Sequence, residues 1–138
     1  MAERTEAVGE PVLVRLSAPA RRSLVDDLVC GVGAGATAPI LGLDAPDAEI
    51  ADFLAGVAHA DGGFVARTSS GERALAIVAA TAAALCGDDI RGALSNPDVA
   101  FLTALKPPAV EAIRSVLLAI ETEAADQVTS ALSVLTGS

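Results

Sequence analysis

Apolar positions recur at helical spacing along much of the chain. Leu24, Val25, Leu28, Val29 and Val32 fall one and four residues apart, with Arg22, Ser23 and Asp26 on the opposite face. That pattern predicts an amphipathic helix entered at Ser17, with Pro19 in its first turn. Gly31, Gly33 and Gly35 are expected to end it, because glycine costs about 1 kcal/mol per helical position relative to alanine. Upstream, residues 12–16 (VLVRL) alternate too briefly to separate a strand from a helix lead-in. Residues 1–10 read as a flexible arm ahead of one domain spanning 11–138.

A second stripe, Ile50, Phe53, Leu54 and Val57, follows Asp44, the expected N-cap, and Pro46, which suits a first turn. Asp47 and Glu49 sit in its first turn, where the helix dipole favours carboxylates. It should stop before Asp61-Gly62-Gly63, a turn sequence. Residues 64–68 read as an irregular or extended connection. Ser69, with Glu72 three residues on, fits a capping box for the next helix. The body of that helix, ALAIVAATAAALC, is apolar nearly all round, which places it at the centre of a fold. It is too short for a bilayer, which needs about 20 apolar residues. Gly87 is its expected C-cap. Residues 88–94 add a turn or two, Asn96-Pro97 opens a short helix, and Pro107-Pro108 starts another.

The last stripe is the longest. Val110, Ile113, Leu117, Ile120 and Ala124 keep a 3-4-3-4 spacing that Val128, Leu132 and Leu135 continue. It predicts a single helix from about Pro108 to Leu135, roughly 40 Å long. The expected fold is therefore all-α: a compact bundle of about five helices with a long C-terminal helix. Composition points the same way. Alanine, valine and leucine carry most of the 52% hydrophobic content, and Phe53, Phe64 and Phe101 are the only aromatic residues.

The uncharged run LVCGVGAGATAPILGL, residues 28–43, resembles a dinucleotide fingerprint by letter only. That motif requires a strand before the glycines and a helix opening after them. With a helix expected before and Thr37-Ala38-Pro39 after, the run reads as a helix end entering an apolar linker, with Ile40, Leu41 and Leu43 packed into a core or interface. Its flanks, Asp27 and Asp44, are acidic where anionic lipid favours basic residues, which argues against membrane binding.

A formal net charge of −9 disfavours nucleic acid, since phosphate contacts need a basic footprint and Arg15, Arg21 and Arg22 form only a small one. The N-terminal MAERTEAVGE has no secretory pattern. Cys30 and Cys86 lie in apolar stretches and read as the buried free thiols of a cytoplasmic protein. Eight of the nine basic residues are arginine, and with abundant alanine this suggests the high-GC coding of a bacterium.

Catalytic chemistry is sparsely represented. There is no serine elbow, no CxxC and a single lysine, Lys106. Asp26-Asp27 and Asp88-Asp89 are adjacent pairs whose side chains diverge by about 100° on a helix. No catalytic set, metal site or cofactor is expected, and the inventory leans against an enzyme. His59 and Asp61, joined by Arg67 and Ser69 around the next helix N-terminus, are the best candidates for an anionic or other small ligand. The leading expectation is a small acidic interaction or assembly protein, a scaffold or adaptor. It would self-associate or bind a protein partner through Ile113, Leu117, Ile120, Ala124, Val128, Leu132 and Leu135. A mean hydropathy of +0.54 supports that reading. The alternative is a small-molecule-binding protein or small enzyme with a pocket near His59, Asp61, Arg67 and Ser69.

Overall fold

The computed structural model describes residues 24–25, 27–32, 38–60 and 62–136. Four short strands, β1 (Val29–Gly31), β2 (Ile40–Gly42), β3 (Phe64–Arg67) and β4 (Leu117–Thr122), form one sheet in the order β1-β4-β3-β2. Every pairing is parallel. Around the sheet lie α1 (Asp47–Val57), α2 (Gly71–Cys86), α3 (Ile90–Ser95), α4 (Val99–Thr103), α5 (Pro107–Val116), α6 (Ala125–Leu132) and a final 3₁₀ turn, Ser133–Thr136. The architecture is mixed α/β, which overturns the all-α bundle. Parallel strands need long crossovers, and α1 supplies the one from β2 to β3, while α2 to α5 fill the one from β3 to β4.

The long C-terminal helix is overturned as well. Its stripe is divided among α5, β4 and α6. Helix α5 passes into β4 with no loop between them: Val116 is its last residue, and Leu117 is already extended at φ −89°, ψ 95°. A central parallel strand is buried on both faces and so lacks polar alternation, which makes a run such as LLAI indistinguishable from buried helix by spacing. Pairing opens with Phe64 beside Leu117 and resumes with Val65 beside Ala119, so Leu118 is an extra residue in the ladder, and its side chain is exposed. The first predicted helix fares likewise over its described part: Val29–Gly31 is an edge strand, while Leu24 and Leu28 enter the core. The expected N-terminal arm and residues 12–16 lie outside the described residues.

Helix α2 is the hub, as its all-round apolar sequence predicts. It contacts α1, α3, α4, α5, α6 and β4. Its mid-helix Thr81 is buried without loss of hydrogen bonding, because Oγ1 donates to the Ile77 carbonyl at 2.7 Å. Gly87 ends it in the left-handed region at φ 75°, where glycine carries no Cβ penalty. At the other end Gly71 lets α2 begin against α6, since a Cβ there would lie 2.5 Å from Ala131 Cβ. That close approach holds the start of α2 against α6, the helix that follows β4. Among the described residues no helix is long and apolar enough to cross a membrane.

Candidate functional site at the carboxyl ends of the central strands

The two central strands emerge from the sheet with matched sequences, Val65-Ala-Arg-Thr68 and Ala119-Ile-Glu-Thr122. Register sets Val65 beside Ala119, Ala66 beside Ile120 and Arg67 beside Glu121. Side chains alternate between faces, so Cys30, Glu121, Arg67 and Gly42 form one row across the sheet. Arg67 and Glu121, 54 residues apart in sequence, thereby become neighbours. Arg67 donates from Nη2 at 2.7 Å and from Nε at 3.2 Å to Glu121 Oε1. Glu121 is 1% exposed, whereas the Arg67 side chain is 44% exposed. A carboxylate held that deep requires a paired cation, because desolvation costs several kcal/mol per ion. Gly42 adds no side chain to the row and has open space where a Cβ would stand.

Past this row lies a cleft of about 400 Å³. Arg67, Thr68 and Ser69 border it from β3, Thr122 and Glu123 from β4, with Asp44 and Val32 alongside. Both threonines fold back identically: Thr68 Oγ1 accepts the Ser70 N–H at 3.0 Å, and Thr122 Oγ1 accepts the Ala124 N–H at 2.9 Å. Each hydroxyl keeps its own proton to donate. Ser70 is the residue that caps α2, accepting the Arg73 N–H at 3.2 Å, in place of the expected Ser69. The one-residue difference leaves Ser69 on the cleft wall. Asp44 likewise does not cap α1, whose N-cap position is Pro46, and it too faces the cleft.

Of the sequence-predicted ligand residues, the structure brings together Arg67 and Ser69. His59 follows α1 in the connection to the amino end of β3, so the length of that strand separates it from them. Asp61 lies outside the described residues. Of the predicted interface residues, Ile113, Leu117, Ile120, Val128, Leu132 and Leu135 are buried in the core of their own chain, and Ala124 is partly buried. The glycine run does follow a strand, β1, correcting the helix expected there. The next described element after it is a strand again, β2 from Ile40, rather than the helix that a dinucleotide motif opens. Leu43 is core, Leu41 half-buried and Ile40 exposed.

Sequence reasoning missed Glu121, Thr68, Thr122 and Glu123. The available signal was the repeated form apolar, apolar, charge, threonine in VART and AIET, with opposite charges at the matching position.

Cys30 stands in the same row as Glu121. Burial, and then the Glu121 charge, raise its pKa above the usual thiol value. Glu121→Gln removes the second cause and frees the Arg67 guanidinium, and both changes favour thiolate. Alkylation of Cys30 at pH 8, followed by mass spectrometry, is expected to run a few-fold faster in that variant. An unchanged rate would show that Glu121 does not act on the thiol. Both cysteines are free, but Cys30 is half-buried and Cys86 exposed, at the end of α2, rather than both buried as expected. Among the described residues no group of three His, Cys, Asp or Glu side chains is arranged to hold a metal ion.

Compared with protein-family models, with curated proteins and with solved structures, the chain matches none.

Proposed function

We propose that this protein binds a small polar molecule at the carboxyl ends of β3 and β4. One observation carries the reading: a buried carboxylate, Glu121, fixes a half-exposed arginine, Arg67, at the mouth of a polar cleft formed by the central strands. In open parallel sheets ligands seat outside the carboxyl ends of the strands. A buried charged side chain at a cleft with convergent polar groups is a candidate functional site.

The lining suggests the ligand class. Glu121 neutralises Arg67, so Asp44 and Glu123 leave the cleft with an excess of negative charge. The hydroxyls of Thr68, Ser69 and Thr122 supply donors. A small molecule with an ammonium group beside hydroxyl or carboxylate oxygens satisfies both. A reducing, cytoplasmic setting belongs to this reading and is supported by the two free thiols.

Thermal denaturation against a panel of amino acids, amino alcohols, sugars and phosphate monoesters tests it. A binder at 100 times its Kd adds about 2.7 kcal/mol of stability. Ammonium-bearing compounds are expected to raise Tm, and Asp44→Asn with Glu123→Gln to weaken them about tenfold, the loss of one charged contact. Both side chains are exposed, so these variants should fold. Preference for phosphate monoesters, or affinity untouched by the double variant, would sink the proposal.

A further inference from the structure

We propose that a second site, the groove between α2, α3 and α4, binds a small organic cation: an ammonium or guanidinium group carried on an apolar or aromatic body. The groove encloses about 290 Å³, near the lower end for small-molecule sites. Its floor is apolar, with Ala79 and Ala83 from α2 and Leu102 from α4. Phe101 lines it with an exposed ring, at 43% exposure, whereas Phe53 is half-buried and Phe64 fully buried. An aromatic face in that position attracts a cation through its quadrupole.

The rim is anionic. Asp88, Asp89 and Asp98 border the groove, and no lysine, arginine or histidine lines it. Asp98 commits one oxygen, Oδ1, to the Phe101 N–H at 3.0 Å. Asp89 precedes α3 without making a side-chain cap. Among the described residues no cation pairs with any of the three.

Their position deepens the negative potential. Asp88 and Asp89 directly follow the carboxyl end of α2, where the helix dipole is itself negative, and the last turn of α2 has no basic residue. Two carboxylates at that end oppose the stability of α2, and a bound cation relieves both. Gly92 assists: a Cβ there would lie 2.5 Å from Asp89 Oδ2, so glycine lets that carboxylate fold over α3 beside the groove. No three carboxylates converge as a metal ion would require among the described residues, whereas a diffuse organic cation needs no such convergence.

The test is titration of the isotopically labelled full chain with benzylamine, cationic at pH 7, and with benzyl alcohol, its neutral counterpart, followed by nuclear magnetic resonance. Benzylamine is expected to shift the Ala83, Gly92 and Phe101 signals saturably, with benzyl alcohol roughly tenfold weaker. Asp88→Asn with Asp89→Asn should reduce benzylamine to the level of benzyl alcohol and leave benzyl alcohol unchanged. Asp98→Asn, which removes a rim charge but keeps the side-chain oxygen that accepts the Phe101 N–H, should weaken benzylamine alone, and it carries the test if the double variant does not fold. Equal affinity for the two compounds would overturn the proposal. So would benzylamine shifts confined to the Arg67 cleft, no saturable shift, or folded variants that bind as before.

Discussion

Gly63→Ala is expected to cost about 3 kcal/mol of stability, at the upper end for forcing one methyl group into a packed site. The glycine precedes β3, and its backbone is not in the left-handed region, so space rather than conformational freedom requires it. A Cβ there would stand 2.6 Å from the Val116 carbonyl oxygen, 2.9 Å from the Ser115 carbonyl oxygen and 2.8 Å from Leu118 Cγ. The leucine can rotate away. The two carbonyls cannot, because they belong to the last turn of α5 where it passes directly into β4. Relief would have to come from sliding that junction off β3, beginning with the Phe64 and Leu117 pairing. Phe64 is fully buried and packs edge-on against Phe53 at 5.3 Å, so its displacement would reach the core. Denaturant unfolding should show a lower midpoint and a fall in Tm of roughly 10 °C. Gly62→Ala is the control: nothing lies within 4 Å of a Cβ there, and its effect should stay within about 0.5 kcal/mol. Two variants of equal stability would mean that the junction yields.

That junction also explains why the sequence reads as helical. Most helices are legible: the stripe ending at Val57, the apolar body of α2, Gly87 as its stop and the prolines that open α5 all act through local chemistry. Strands β1 and β2 span three residues each and β3 four, less than the alternation needed to declare a period. Strand β4 is hidden differently. Ile113, Leu117 and Ile120 lie three and four apart, and the first belongs to a helix while the others belong to a strand. Nothing local marks the change, because what makes Leu117 extended is pairing with Phe64, 53 positions earlier. The site follows the same rule. Arg67 and Ser69 are visible as polar residues near a helix start, but Glu121 acquires meaning only when the parallel register sets it beside Arg67. His59 and Ser69 are ten residues apart and look adjacent in sequence, yet β3 carries the chain from one end of the sheet to the other between them.

Arg67→Met should cost about 2 kcal/mol, and the way that cost is recovered separates stability from function. Stranding a buried charge costs about 3–5 kcal/mol when both partners are interior, and the value is discounted here because the Arg67 side chain is 44% exposed and screened by water. The loss falls almost wholly on Glu121, which keeps its desolvation cost and loses the two N–H donors on Oε1. Glu121→Leu in the same chain removes the stranded charge, so Arg67→Met with Glu121→Leu should be more stable than Arg67→Met alone. That recovery is expected of a buried ion pair whatever its role, since an apolar pair of similar volume replaces it at little cost. The ligand experiment then supplies the second axis. If Arg67 contacts ligand at the cleft mouth, both the single and the double variant should lose binding about tenfold or more, although only the single variant is destabilised. Recovery of stability without recovery of binding would assign the pair to the site. Recovery of both would make the pair a folding element and leave the cleft without its central residue.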